Sequence, residues 1–287
     1  MNKSWLLKRI GLTLIAFIAM SPLAKAQKNP EEKLGWKLGS QSYTFNRFTF
    51  FEAIDKIKEA NLEYVEAFPG QTLGGGIEGK MDFKMDKKKR KAILKKLKEK
   101  GVTLVSFGVV NANSPEEWEQ LFQFAKAMKI KNIVSEPKQE DIAMISQLCD
   151  KYKVNLAIHN HPNPSTYWDP DILLAAIKGK SDRVGACADI GHWVRSGLDP
   201  LECLKKLEGH VKEFHFKDLN EKSRDAHDVH WGQGISQVGA VMELMKEQKF
   251  KGPFFAEYEY NWDNNVGDVK ASAAYFRKKA SELAAED

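Results

Sequence analysis

Short runs rich in β-branched and aromatic residues alternate along the chain with longer stretches whose apolar residues return every three or four positions. The short runs predict strands at 38–44, 62–67, 103–109, 132–135, 155–159, 184–189, 211–216 and 253–258. The longer stretches predict helices at 51–60, 87–100, 116–128, 140–152, 170–177, 200–207, 235–246 and 268–285. Boundary residues agree with this division. Ser114-Pro115-Glu116 offers an N-cap, a first-turn proline and an acidic first turn, and Asn61 stops the first helix. Lys100-Gly101, Met128-Lys129 and Gly209-His210 each end a helix just ahead of a strand.

Strands separated by helices imply parallel pairing through crossovers, and eight such pairs fit the size and order of an α/β fold, the (β/α)8 TIM barrel. A doubly wound open sheet would place a glycine-rich phosphate turn after an early strand. Gly70-Gln71-Thr72-Leu73-Gly74-Gly75-Gly76 lacks the G-x-G-x-x-G spacing and has no helix directly behind it. It reads as a mobile loop over a site, or as a plain surface loop.

The N-terminus changes the accounting of charge. Lys3, Lys8 and Arg9 precede an apolar run from 10 to 20, and Ala24-Lys25-Ala26 has the small-x-small pattern of a signal-peptidase site. The run is well short of the roughly 20 residues that span a bilayer. Residues 1–26 are therefore expected to be a cleaved signal peptide, and 27–287 a single barrel domain exported to the periplasm or secreted, with no stable membrane association. No cysteine near the cleavage site offers a lipid anchor. Loss of Lys3, Lys8, Arg9 and Lys25 lowers the net charge from +5 to +1. The remaining basic run, 84–100, is interleaved with Met85, Ile93, Leu94 and Leu97 as a solvated helix face would be, so nucleic acid is not an expected partner. Cys149, Cys187 and Cys203 lie in apolar surroundings and read as buried thiols rather than a disulfide framework.

Candidate chemistry gathers at the ends of the later strands. His159-Asn160-His161, Asp189-Ile-Gly-His192-Trp193, His215-Phe-Lys217 and Glu257-Tyr-Glu259 follow one another on consecutive strands. The C-terminal rim is where barrel active sites are assembled. Several buried charges without a counter-ion would be costly, and a bound cation answers that cost. Mixed histidine and carboxylate donors suit one divalent ion better than Ca2+, with Mn2+ or Zn2+ first and Mg2+, Co2+ or Fe2+ behind them.

Cys187-Ala-Asp189-Ile-Gly-His192 is similar to the D-x-x-H signature of the xylose-isomerase-like barrel superfamily, the sugar phosphate isomerase/epimerase group that also includes inosose dehydratases and metal-dependent apurinic endonucleases. Strand order carries the resemblance over the whole mature chain, while the motifs occupy its second half. The resemblance implies Asp189, His215 and Glu257 as metal ligands. The remaining ligand is Glu136, at the end of the fourth strand, or one of His159 and His161 on the fifth; Glu136 is the preferred choice. Endonuclease relatives hold three metals with early-strand histidines. Here the early strand ends offer Tyr43, Asn46, Glu66, Phe68 and Asn111, with no histidine before His159, so one metal is expected.

A metal chelating a carbonyl and its neighbouring hydroxyl would stabilise an enediolate, with the carbon-bound proton moved by Glu66, His159 or His161. Lys217 would bind a substrate hydroxyl or the enediolate oxygen. Tyr43, His192, Trp193 and Glu259 are expected against the substrate, and His230 and Trp231, in a glycine-containing loop, to close over it. Export disfavours phosphorylated substrates, leaving a neutral carbohydrate. Reprotonation gives a metal-dependent isomerase or epimerase, the first reading. Loss of a β-oxygen gives a lyase or dehydratase acting on a 3-keto-glycoside or inosose-like ring. The same residues are also compatible with metal-assisted hydrolysis and with a non-catalytic exported carbohydrate-binding protein. The sequence is compatible with a monomer or a homo-oligomer.

Overall fold

The computed structural model describes residues 29–286 and closes eight parallel strands into a barrel. The expected signal segment, 1–26, lies outside the described residues. A one-turn helix α1 (Pro30–Lys33) leads to β1 (Lys37–Gln41), α2 (Phe50–Glu59) and β2 (Tyr64–Ala67). A hairpin of β3 (Thr72–Gly74) and β4 (Ile77–Lys80) precedes α3 (Lys87–Lys100). Then come β5 (Thr103–Phe107), α4 (Pro115–Met128), β6 (Asn132–Ser135), α5 (Ile142–Tyr152), β7 (Asn155–His159) and α6 (Pro170–Ile177). The chain ends with β8 (Val184–Asp189), α7 (Ile190–Arg195), α8 (Pro200–Lys206), β9 (Val211–Phe216), α9 (Val238–Glu247), β10 (Pro253–Ala256) and α10 (Val266–Ala285). Around the barrel the strands run β1, β10, β9, β8, β7, β6, β5, β2, the sequential order of a TIM barrel with the hairpin left outside.

Local chemistry explains where the elements begin and stop. Thr49 and Glu52 form a capping box on α2, with the Thr49 backbone N–H donating to Glu52 at 2.8 Å. Ser114 caps α4 ahead of Pro115. Gly101, Lys129 and Lys153 end α3, α4 and α5 in the left-handed conformation, which satisfies the last carbonyls of each helix.

Three differences from the sequence reading bear on the site. β1 stops at Gln41, because Ser42–Phe45 turns into a 3-10 helix whose Tyr43 N–H is met by the Gln41 side chain. β10 stops at Ala256, so Glu257 and Glu259 do not share a strand face. The glycine-rich segment after β2 is not an irregular loop but the β3–β4 hairpin, its turn made by Gly75 and Gly76 at positive φ.

Alternation along β9 positions the site. Phe214 and Phe216 point outward into an aromatic layer with Phe254 and Phe276, Phe214 stacking on Phe254 at 4.6 Å. Burying each such ring contributes roughly 1.5–3 kcal/mol. Glu213, His215 and Lys217 consequently share the opposite, inward wall at successive heights. A small apolar layer of Val134, Ala157 and Cys187 forms a separate cluster.

Candidate functional site

The ends of β7, β8, β9 and β10 bring His159, Asp189, His215 and Glu257 together, with one donor atom from each lying within 4.8 Å of the others. Each is fixed from behind. The Asp189 carboxylate caps α7, accepting from the His192 backbone N–H at 2.7 Å through Oδ1, which leaves Oδ2 facing the cluster. Asn160 locks the same residue in place, donating to its carbonyl and accepting from its N–H, both at 2.9 Å. Glu136 holds Nδ1 of His159 at 3.1 Å, and Glu66 holds Nε2 of His215 at 2.8 Å. The remaining nitrogens, Nε2 of His159 and Nδ1 of His215, are buried, have no hydrogen-bond partner among the described residues, and lie 3.6 Å from Asp189 Oδ2 and 3.1 Å from Glu257 Oε2. Two orphaned imidazole nitrogens, oriented by carboxylates and converging with two more carboxylates, are what a divalent ion requires.

Lys217 enters from β9, wholly buried, with Nζ 2.5 Å from Asp189 Oδ2 and hydrogen-bonded to Glu257 Oε2. Room for its stem exists because residue 191 is glycine; a Cβ there would lie 2.7 Å from Lys217 Cβ.

Burial opposes every charge in the cluster, and the partners overrule it. His192 and Lys217 hold Asp189 well below the usual carboxylate range; Lys217 and His215 do the same for Glu257. Hydrogen bonds to His159 and His161 pull Glu136 down to about 2. Asp189 and Glu257 raise Lys217 well above its ordinary value. Asp189 and Glu136 raise His159, while Cys187, Glu257 and Glu66 raise His215. Asp189 and Glu257 thus share the one Lys217 ammonium, and Glu136 is a third ionised carboxylate, held against His159 and His161, which leaves the group short of positive charge. Imidazolium protons or one divalent cation supply it. The donor set therefore fits a divalent metal, and a His/Asp/Glu metal-binding site is present.

Other expected site residues divide by position. A cavity of about 330 Å³ opens over the cluster, lined by Tyr43, His161, His192, Glu257 and Glu259 together with Gln41 and Phe68. His161 is half-exposed, with Nδ1 bonded to Glu136. Glu136, expected among the ligands, stands with His159 and His161 in a second group whose donor atoms could hold a metal ion, sharing His159 with the first. Glu66 is buried beneath the cluster, where burial raises its carboxyl. Trp193 is buried and does not line the cavity. Trp231 packs edge-on against Phe216 at 5.2 Å, leaving no face for a sugar, and His230 pairs with Asp268 at 2.8 Å.

The model of the xylose isomerase-like TIM barrel family matches residues 54–279. The chain belongs to that family. An uncharacterised protein from Parabacteroides distasonis is 33% identical, with a TM-score of 0.71 over 85% of this chain and 99% of that one. A D-tagatose 3-epimerase-like protein shares the fold at 18% identity and a TM-score of 0.70, covering 87% of this chain and 99% of that one. Inosose dehydratase 2 of Bacillus cereus is similar at 24% identity over 150 residues, 46% of this chain and 50% of that protein. The inosose dehydratase of Lacticaseibacillus casei is 24% identical over 121 residues, 37% of this chain and 41% of its own. The chain thus matches half or less of the length of these curated relatives.

Within this xylose isomerase-like barrel, sequence reading missed a second layer of polar residues. Gln41 donates to Glu66 at 3.0 Å and to the Gly108 carbonyl at 2.8 Å. Arg195 bonds Glu259 at 3.1 Å and His192 Nδ1 at 3.2 Å, and lies 3.9 Å from Asp228. Asp218 accepts from the backbone N–H groups of Gly232, Gly234 and Ser236, which shapes the loop after β9. The spacing of Arg195 three residues after His192 on a short helix was the available signal for it.

Burial, with Glu259 nearby, pushes Asp228 up to about 8 against the pull of Lys217 and Arg195. The folded state keeps a proton that the unfolded chain releases above about pH 4, so this group makes stability fall as pH rises toward 8. In Asp228→Asn that slope is absent. The melting temperature of the variant relative to wild type is expected to climb between pH 5 and pH 8, by the equivalent of a few kcal/mol at most. A difference that is flat across that range contradicts the assignment.

Proposed function

We propose that the protein is an exported, metal-dependent lyase acting on a neutral keto-sugar ring. It removes the proton beside the ketone and expels the oxygen substituent one carbon further on; the substrate class is a 3-keto-glycoside or an inosose-like ring. The observation that carries this reading is the buried cluster of His159, Asp189, His215, Glu257 and Lys217 beneath a cavity that also contains a half-exposed, carboxylate-held histidine. Similarity to inosose dehydratases favours elimination over plain isomerisation.

His159, Asp189, His215 and Glu257 are the ligands in this proposal, and their mixed donors suit Mn2+ or Zn2+. When bound, the ion supplies Lewis-acid stabilisation of negative charge at the substrate carbonyl oxygen. Glu136 and Glu66 orient the imidazoles, and Lys217 holds Asp189 and Glu257 in register. His161, with Nδ1 engaged by Glu136, presents its other ring nitrogen to accept the carbon-bound proton and then to return it to the departing oxygen. Glu259, anchored by Arg195, meets substrate hydroxyls at the cavity wall, and Tyr43 lines the wall beside it.

Proton NMR in D2O on the metal-loaded protein, with inososes, 3-keto-glycosides and ketoses, tests the proposal. The expected result is loss of the signal beside the ketone together with an elimination product. His161→Gln should slow this by about 100-fold while retaining metal. Deuterium incorporation into an otherwise intact sugar replaces the lyase with an isomerase or epimerase. Absence of both, with metal and ligand bound, leaves a binding or hydrolytic role.

A further inference from the structure

The cavity has two chemically different walls. The end of β7, the segment after it and α7 supply His159, His161 and His192 on one side. On the other, Tyr43 is 40% exposed, its ring 5.2 Å from Phe68 and 5.7 Å from Trp262, both edge-on. These aromatics follow β1, β2 and β10, three strands that are neighbours in the barrel, so topology rather than sequence proximity gathers them on one side of the mouth. Two edge-on neighbours fix the Tyr43 ring, and a fixed, exposed ring is a platform for a flat apolar surface. At about 330 Å³ the cavity is at the small end for ligand sites. It suits a single sugar ring over the metal cluster, with whatever extends from that ring leaving past Tyr43.

We infer that the substrate carries a second ring, an aglycone joined through a glycosidic oxygen, that rests on Tyr43 and Trp262 and is the group expelled. This inference rests on the elimination reading and chooses, within it, a keto-glycoside over an inosose. With the ketone at C3, the C2–H bond breaks and its electron pair forms the C1=C2 double bond. The C1–O bond breaks, and the aglycone oxygen takes one proton to leave as an alcohol. Atoms and electrons balance without an oxidant or reductant. A ketone at C3 arises by dehydrogenation of a ring hydroxyl, so an oxidation of the parent glycoside is the reaction class that supplies this substrate.

The test compares benzyl and methyl 3-keto-β-glucosides, whose alcohols are leaving groups of nearly equal acidity, with scyllo-inosose as the ring that lacks an aglycone. Wild-type kcat/KM should favour benzyl over methyl by about tenfold, the scale of one well-formed aromatic contact. That ratio should fall to within about twofold of unity in both Tyr43→Ala and Trp262→Ala. Dissociation constants for the unoxidised benzyl and methyl glucosides carry the same ratio without turnover, which covers a variant too slow to assay. A wild-type ratio near one, or a ratio that survives Tyr43→Ala, overturns the inference. Dehydration of the inosose with neither glycoside consumed overturns it while leaving the elimination reading intact. Inertness toward all three, with metal bound, removes that reading and the inference with it.

Discussion

Asp189→Asn is expected to leave the protein folded but without bound metal, and to lower turnover by at least about 10³-fold. The amide is nearly isosteric and its oxygen can still cap α7 through the His192 N–H, so local structure survives. What disappears is one of the three negative charges that set the demand for a dication. The ion must also displace protons from His159 and His215, both raised by their carboxylate neighbours. Wild-type metal affinity is therefore highest at alkaline pH and falls as pH drops through those raised values, because protons compete for the same nitrogens. Elemental analysis after dialysis, alongside the NMR rate, checks the variant. Full metal occupancy with a rate within about tenfold of wild type would remove Asp189 from the ligand set.

Much of this arrangement is readable from the chain, and the parts that are not share a cause. Eight strand and helix pairs announce themselves because parallel strands carry concentrated β-branched and aromatic runs and helices carry a 3.6-residue period. Strand ends rich in His, Asp and Glu then locate the site, since the fold dictates which rim they reach. The choice among Glu136, His159 and His161 as the remaining ligand lies beyond pattern reading. Glu136 lies just past β6, where alternation no longer fixes direction, and its role depends on a contact with His159 across 23 residues of sequence. Trp193 and Trp231 misled for a related reason: a tryptophan near a rim looks the same in sequence whether its ring faces the cavity or, as with Trp231, meets Phe216 and Phe276. Arg195, Asp228 and Glu259 come from three separate segments, and nothing local pairs them.

Lys217→Met should produce the largest loss of stability of any single change at the site, and bound metal should repair much of it. A methionine fills nearly the same volume beside Gly191, so packing is broadly kept while the ammonium between Asp189 and Glu257 is removed. Removing one partner of a buried ion pair costs about 3–5 kcal/mol, because the charges left behind remain desolvated. For a domain of this size that lowers the melting temperature by roughly 10 °C in the metal-free protein. The two carboxylates left behind are also donors of the proposed metal centre, so a divalent ion relieves the same electrostatic deficit that the lysine had covered. The rise in melting temperature on adding Mn2+ or Zn2+ should accordingly be larger in Lys217→Met than in wild type. Differential scanning calorimetry with and without metal reads both quantities on one sample. Equal increments in the two proteins would mean that Lys217 acts by packing alone and that its charge is independent of the metal centre; a larger increment in the variant ties the lysine and the ion to the same pair of carboxylates.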